Sequence, residues 1–396
     1  MERFNVTTSP TSDLDFWSDE VLLNPYPHYK NLRDAGSAVW LRRHSAWAIT
    51  RHASVREALL NGEVFSSARG CMMNDATNRA MEGVMLCSDD PGHRQLRRVF
   101  ARPLMPAALA PLKARLKRLA EQRVDILLER KKFDAVSDLA HLLPLTVVTE
   151  LVGLSDEGKA NMLSWAAGIF NAFGPDTHQR TLSGVAIMQQ AFVYLRTLTR
   201  DSLDPSGWGA ALLNAADRGE VSPESAKAML MDYLAPSLDT TINATSGAMW
   251  LFARHFEQWQ KLKDDPDLIP QAIDEVLRLE SPIRAFSRFI TRDYELDGIA
   301  LPANGRALML YACANRDERR YVDPEAFDIE RNARDHVAFG YGTHMCAGMH
   351  LARLEISVLL ETLAHKVDRL HLIEAHRGSN NTLWGFSRLD VAAEAA

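Results

Sequence analysis

A glycine-rich segment, Phe339 to Gly348, constrains this chain more than any other feature. It places Cys346 immediately before an apolar run, Met349 to Leu363, that is expected to be helical. Its glycines permit positive φ angles and close approach of the backbone. Main-chain N–H groups in such a loop, with the positive end of the following helix, can stabilise an ionised thiol. The ordinary alternative for a lone cysteine is a buried, inert side chain.

The full pattern Phe-Gly-x-Gly-x-His-x-Cys-x-Gly resembles the haem-binding signature of the cytochromes P450. The resemblance implies a single domain over residues 1–396 that is mostly α-helical with a minor β portion, and a long central helix across the haem. It also implies haem b with the Cys346 thiolate as axial iron ligand. Phe339, Gly340 and Gly348 would shape the loop around that ligand.

Composition and charge exclude several classes of protein. The chain has 396 residues, of which 46% are hydrophobic and 24% charged, enough for a large core. A net charge of −6 argues against nucleic-acid binding, and four irregularly spaced cysteines do not suggest a disulfide framework. No window approaches roughly 18 uninterrupted apolar residues, and no signal peptide is recognisable. We therefore predict a cytoplasmic monomer that binds neither nucleic acid nor membrane.

Local patterns predict the elements that surround the loop. Residues 1–30 are expected to be an irregular lead-in, and residues 39–40 and 46–49 a short strand pair. Ser54 is predicted to cap a helix through Leu60. Apolar spacing predicts amphipathic helices over 112–128, 138–151 and 161–173.

The longest helical run extends from Pro223 to Phe256, with Ser222 as the expected N-cap and Pro223 at the first helical position. At 1.5 Å per residue, one helix of this length spans about 50 Å. It is therefore expected to cross the core.

Within this run, Asp239 and Thr240 are poor helix formers, and such local inconsistencies often mark function. They resemble the acid–alcohol pair of P450s. The resemblance implies that Asp239 relays protons from solvent and that Thr240 positions oxygen and water. The alternative is a polar patch on an exposed helix face.

The segment departs from the family pattern just before this pair. Pro236 and Ser237 stand where two small residues such as Ala-Gly are usual. Because proline lacks an N–H and clashes with the preceding turn, we predict a helix kink near the oxygen site that frees the carbonyl of Asp232.

Two charged groups have expected roles near the haem. His93 and Arg97, four residues apart on one helix face, can donate to one anion. The resemblance implies that they bind the haem propionates together with Arg288 and His344; surface cations are the alternative.

Glu275 and Arg278 share a second helix face, where an arbitrary pair would be a solvated ion pair. The resemblance implies instead a buried structural pair, with Arg331 as its third partner.

The substrate pocket is predicted from a resemblance to P450s that oxidise para-substituted methoxybenzoates and related aromatics. Three segments carry this resemblance: 169–175, 281–286 and 380–386. Aromatic and aliphatic side chains there would form an apolar slot for a flat ring, although ordinary core packing is the alternative. The predicted pocket residues are Arg69, Phe170, Phe173, Leu234, Ser237, Ile283, Arg284, Phe286 and Trp384.

The charge of the substrate stays open. Arg69 matches one element of a carboxylate-binding cluster, but the pair Met231-Asp232 stands at another and does not suit an anion. Arg284 is a further candidate cation. Both an anionic methoxybenzoate and a neutral methoxyphenol therefore remain candidates.

The predicted reaction uses O₂ and two electrons to hydroxylate or O-demethylate a small aromatic substrate. The chain is too short for a P450 domain and a reductase, so we expect electrons from a ferredoxin with its own reductase. Arg94, Arg97, Arg98 and Arg102 would attract such an acidic partner.

Three alternatives remain. The first is a peroxide-driven peroxygenase, and the second is a P450 for a terpenoid or fatty acid. The third is a non-catalytic haem protein or a structural metal site of His344, Cys346 and His350.

Overall fold

The computed structural model describes residues 9–234 and 236–396, and α-helices dominate it. The first eight residues of the expected lead-in, and Ala235 of the expected long helix, lie outside the described residues. The α-helices, numbered α1 to α17 in chain order, are Asp19–Leu23, Tyr26–Ala35, His52–Leu60, Asp75–Ala80, Gly92–Phe100, Pro106–Leu109, Lys113–Arg130, Leu142–Val152, Asp156–Asn171, Gln179–Thr197, Trp208–Asp217, Pro223–Leu234, Asp239–Arg254, Phe256–Asp264, Ile269–Leu279, Tyr311–Ala314 and Met349–Lys366.

Within residues 9–234 and 236–396, the strands form three sheets. The strands, numbered β1 to β11, are Thr11–Ser12, Ala38–Leu41, Ala46–Ile49, Phe65–Ser66, Lys132–Asp134, Phe286–Ile290, Tyr294–Leu296, Ile299–Leu301, Arg306–Met309, Val367–Arg377 and Phe386–Ala395. The sheet orders are β1-β2-β3-β9-β6-β4, β10-β11-β5 and β7-β8. In β6, Phe286 and Arg288 are two residues apart and so share one sheet face.

The expected irregular lead-in is wrong where β1 and α1 form, and the residues from Tyr26 onward belong to α2. The Ser18 side chain accepts the N–H of Val21 and so caps α1, and Asp19 and Glu20 in its first turn favour a helix start. β1 pairs in parallel with β2. The expected strand pair is confirmed as β2 and β3, which run antiparallel.

The predicted cap at Ser54 is also wrong, because α3 begins at His52. The N–H of His52 donates to the Asp317 carboxylate at 2.9 Å. A tertiary contact therefore satisfies this helix start, and local sequence does not encode it.

The long central helix is interrupted. α12 ends at Leu234 and α13 begins at Asp239, while residues 236–238 are bent. The missing N–H and the ring of Pro236 explain why a continuous helix is not formed. The Ser237 hydroxyl donates instead to the carbonyl of Tyr233. The start of α12 is as predicted, because the Ser222 side chain caps it by accepting the N–H of Ser225 at 3.0 Å.

A buried ionic cluster ties α15 to the segment that leads to the cysteine loop. Arg278 donates to the two carboxylate oxygens of Glu275 at 2.7 and 2.8 Å, and both side chains are fully buried. Arg331 Nε donates to the same carboxylate at 3.1 Å. The remaining Arg278 donors reach main-chain carbonyls of Asn315, Pro324 and Ala326.

One stretch, Ala135–Val152, is long and apolar enough by length and composition to cross a membrane, with a hydropathy of 1.4 over 18 residues. It consists of a π-helix, Ala135–Ala140, followed by α8. Half of it is buried inside the protein, as in the core helix of a globular domain.

Candidate active site

A cavity lies where α5, the end of α9, the α12–α13 break, β6 and the cysteine segment meet. It encloses about 1570 Å³ of space, including the part open to solvent. The predicted site residues on its wall are His93, Arg97, Phe170, Phe173, Ser237, Thr240, Ile283, Phe286, Arg288, Phe339, Gly340, His344, Cys346 and Gly348.

The Cys346 loop has the backbone that its glycines predict. Gly340 and Gly342 both have φ of 70°, a left-handed conformation that favours glycine. The N–H of Cys346 donates to the Phe339 carbonyl at 2.8 Å, which closes the loop. α17 begins at Met349, three residues after the cysteine, and places its N-terminus beside the sulfur.

The surroundings of the Cys346 thiol have opposing effects on its pKa. Burial raises the pKa of the Cys346 thiol, whereas the Gly348 N–H, the Arg97 guanidinium and the Met349 N–H lower it. The net pKa is raised, so the N–H groups alone do not ionise the sulfur. A bound metal cation would complete the ionisation, because a coordinating thiol loses its proton. Across residues 9–234 and 236–396, no three His, Cys, Asp or Glu side chains cluster as a metal site, which argues against the alternative involving His350.

Four basic side chains gather on one side of the cavity. The rings of His93 and His344 lie 4.1 Å apart between centroids, and Arg97 and Arg288 line the wall beside them. Within the described residues, the hydrogen bonds of the two arginines go to the carbonyls of Thr343 and Ser287.

This basic group is suited to an anion. Nδ1 of His93 is buried without a hydrogen-bond partner in the described chain, and the nearest carboxylate oxygen, Oδ1 of Asp90, lies 3.8 Å away, beyond hydrogen-bond distance. Burial, with the neighbouring Arg288, lowers the pKa of His344 to about 2, so its ring is neutral. Among the described residues, Arg97 and Arg288 form no ion pair with a carboxylate, and together with the imidazole nitrogen of His93 they fit a group that carries two carboxylates, as haem does.

Asp239 and Thr240 occupy the first turn of α13. The Thr240 hydroxyl lies on the cavity wall and donates to the Pro236 carbonyl at 2.7 Å. Oδ2 of Asp239 is buried with no hydrogen-bond partner among the described residues, and burial raises the pKa of this carboxyl to about 7. The pair therefore combines a hydroxyl on the wall with a buried carboxyl whose pKa is raised to about 7.

Five of the predicted pocket residues line the cavity. Phe170 and Phe173 lie 5.6 Å apart between ring centroids, and Phe173 lies 6.1 Å from Phe286. Ile283 and Ser237 complete the set. These aromatic faces form an apolar wall, although their contact with a substrate stays a prediction.

Four predicted pocket residues do not line the cavity: Arg69, Leu234, Arg284 and Trp384. Arg69 is exposed, and its guanidinium stacks 3.6 Å from the Phe289 ring. Arg284 is fully buried and donates to the Tyr29 hydroxyl and the Asn381 carbonyl.

The other two are held in the core. Trp384 donates to the Glu280 carboxylate at 2.9 Å, and Leu234 is fully buried. The side chains of Arg69, Arg284 and Trp384 are thus held by partners that do not line the cavity.

Several lining residues were not predicted, including Met81, Met85, Leu86, Trp208 and Tyr311. Their segments carry no periodic or motif signal that points to a ligand. Met231 and Asp232 also line the cavity, in agreement with the match of this pair to an element of the substrate-binding cluster.

Comparisons with known proteins agree with this geometry. A family model described as Cytochrome P450 matches residues 196–368. The chain is 36% identical over 385 residues to cytochrome p450 CYP199A2 of Rhodopseudomonas palustris, across 96% of this chain and 92% of that protein. It is 30% identical to the beta-dihydromenaquinone-9 omega-hydroxylase of Mycobacterium tuberculosis, across 96% of this chain and 78% of that protein.

The fold is also found in a solved structure. P450BioI, crystallised with an acyl carrier protein ligated to hexadec-9Z-enoic acid, superposes with a TM-score of 0.86 and 25% identity. The match covers 95% of this chain and 99% of that one, which confirms the predicted single-domain fold. The chain therefore belongs to the cytochrome P450 family, whose members bind haem b through a cysteine thiolate, and it is a monooxygenase.

Proposed function

We propose that this P450 inserts one atom of O₂ into a small aromatic substrate, by hydroxylating it or by O-demethylating a methoxylated ring, with two electrons from a separate ferredoxin. The observation that carries the proposal is the apolar wall formed by Phe170, Phe173, Ile283 and Phe286. Stacked and edge-on aromatic contacts suit a flat ring and restrict its orientation.

The basic group and the cysteine hold the cofactor in this proposal. Arg97, Arg288, His93 and His344 would hold the two propionates, and Cys346 would supply the sulfur that binds the iron. When bound there, haem supplies the activation of O₂ and the transfer of an oxygen atom to carbon. The apolar wall orients the substrate ring and excludes water around it.

Asp239 and Thr240 transfer protons into the site. Because the Thr240 hydroxyl donates to Pro236, its lone pairs face the cavity as acceptors and can hold a water molecule. Asp239 has a raised pKa of about 7, so it can take a proton from solvent and release it inward at neutral pH.

Replacing Asp239 by asparagine is expected to lower the coupled turnover about 100-fold, because the amide cannot exchange a proton. Haem content and the ferrous carbonyl spectrum should be retained, and the solvent isotope effect on turnover should rise. The control is Asp201→Asn, which alters an exposed carboxylate and should leave turnover unchanged. Unaltered turnover and isotope effect in Asp239→Asn would show that the carboxyl does not carry protons.

The aromatic substrate is tested with haem-loaded protein. Methoxylated phenols and benzoates are titrated for a low-to-high spin shift, and bound compounds are then turned over with a surrogate ferredoxin, its reductase and NADH. O-demethylation predicts equal amounts of phenolic product and formaldehyde. Oxidation of fatty acids or terpenoids without oxidation of any ring compound would contradict the proposal. Faster turnover with H₂O₂ than with ferredoxin would favour a peroxygenase.

The redox partner is expected to dock on the exposed side of α5. Arg97 of this helix contacts the cysteine loop through Thr343, and Arg98 is exposed. Arg94 and Arg102 already form ion pairs with Asp90 at 2.9 Å and Glu220 at 2.5 Å. Arg98 is therefore the best placed of these cations to meet an acidic protein.

Charge reversal at this position, Arg98→Glu, is expected to lower ferredoxin-supported turnover about tenfold at low salt and less at high salt, because added ions screen surface charges. Turnover driven by H₂O₂ should not change. Arg196→Glu reverses an exposed charge on α10 and serves as the control. An unchanged rate and salt dependence in Arg98→Glu would exclude this docking surface.

A further inference from the structure

A buried carboxyl group interrupts the apolar wall of the cavity. Asp232 belongs to the last turn of α12, is 8% exposed and lines the same cavity as Phe170 and Phe173. Carboxyl groups are costly to bury in apolar surroundings unless hydrogen bonds or charges compensate. Its presence in a wall that otherwise suits a hydrocarbon ring therefore requires an explanation.

Its protein contacts use only part of its hydrogen-bonding capacity. Oδ2 accepts the N–H of Met85 at 2.9 Å, and Oδ1 accepts the N–H of Leu86 at 3.4 Å. A carboxylate offers about four acceptor positions, so two remain. Burial, these two N–H groups and Cys71 are the influences on its pKa, and no cation is among them. Burial raises the pKa of Asp232 to about 7, and both protonation states keep an acceptor oxygen.

The cations on the cavity wall are already assigned. Arg97 and Arg288 lie with the two histidines that fit the propionates. Arg69 and Arg284, the candidates for a substrate carboxylate, lie outside the cavity wall. A ring carboxylate in the apolar slot would thus meet another carboxyl group. A hydroxyl or amino substituent on the ring would instead find a hydrogen-bond acceptor in Asp232.

We propose that Asp232 anchors the substrate and selects small aromatic compounds with a hydrogen-bond-donating substituent, a phenolic hydroxyl or an amino group, over ring carboxylates. The inference rests on the proposed function, since it names the substrate class of the same cavity. The donor group hydrogen-bonds to Asp232, and the aromatic side chains hold the ring.

Spin-state titrations of the haem-loaded protein test this with three probes: 4-methoxyphenol, 4-methoxybenzoate and methoxybenzene, which has no donor. We expect wild-type protein to bind the phenol about tenfold or more tightly than the benzoate, the ratio that one hydrogen bond to a charged group provides. In Asp232→Asn, the amide oxygen still accepts the Met85 N–H, but the amide nitrogen offers a donor to the cavity. The phenol should therefore lose about tenfold in affinity, the benzoate should gain, and methoxybenzene should be unaffected.

The matched control is Glu224→Gln, which neutralises an exposed carboxylate on the same helix and should leave all three affinities unchanged. Equal losses for the phenol and methoxybenzene in Asp232→Asn would mean that Asp232 merely supports the Met85–Leu86 backbone. Tighter binding of the benzoate than of the phenol by wild-type protein would also overturn the inference, and this comparison stands even if the variant fails to take up haem. If no ring compound shifts the spectrum, the aromatic proposal fails and the inference fails with it; a shift without donor preference overturns the inference alone.

Discussion

Replacing Cys346 by alanine is expected to abolish oxygenation and to remove the red-shifted absorption of the thiolate-bound ferrous carbonyl complex. The sulfur lies in a closed loop at the N-terminus of α17, where N–H groups of Gly348 and Met349 reach it. Alanine leaves haem without this axial donor, and the electron density that promotes O–O cleavage is lost. Absorption spectra of the reduced protein under carbon monoxide measure the change directly.

Cys313→Ala is the matched control, because Cys313 is fully buried but lies outside the cavity wall. It should keep the wild-type carbonyl spectrum. Persistence of that spectrum in Cys346→Ala would contradict the assignment of the axial ligand.

The second large effect is expected on stability. Arg278→Met removes the donor that holds both oxygens of the fully buried Glu275, and it leaves the carbonyls of Asn315, Pro324 and Ala326 without that partner. Breaking a buried ion pair from one side costs about 3–5 kcal/mol. We expect a loss of this size in the free energy of unfolding, measured by chemical denaturation of haem-loaded protein.

Lys30→Met provides the comparison. Lys30 forms an exposed pair with Asp34 at 2.7 Å, and removing such a pair should change the free energy of unfolding by less than about 1 kcal/mol. If Arg278→Met had an equally small effect, the buried cluster would not be a major source of stability.

The sequence predicted the parts of the site that depend on consecutive residues. The Cys346 loop needs glycine at defined positions, so its chemistry is visible in a short string. His93 with Arg97, and Glu275 with Arg278, are fixed by the period of a helix. Such features can be recognised in a sequence without knowing which distant segments are in contact.

The sequence could not predict which way side chains point when distant segments decide it. Arg284 turns toward Tyr29 and Asn381, and Trp384 toward Glu280. The start of α3 depends on Asp317, far along the chain. A kink at Pro236 was predicted. The complete separation into two helices was not, because it depends on how the neighbouring elements pack.

The interruption at Pro236 has an evolutionary consequence. Asp232, which lines the cavity, belongs to α12, whereas Asp239 and Thr240 belong to α13. In one continuous rod, any rotation that reshaped the wall would also displace the acid and the alcohol. Under the proposed roles, mutations in α12 can change which compounds bind while α13 keeps the groups that transfer protons. Substrate range and oxygen activation can thus diversify as separate modules of one enzyme.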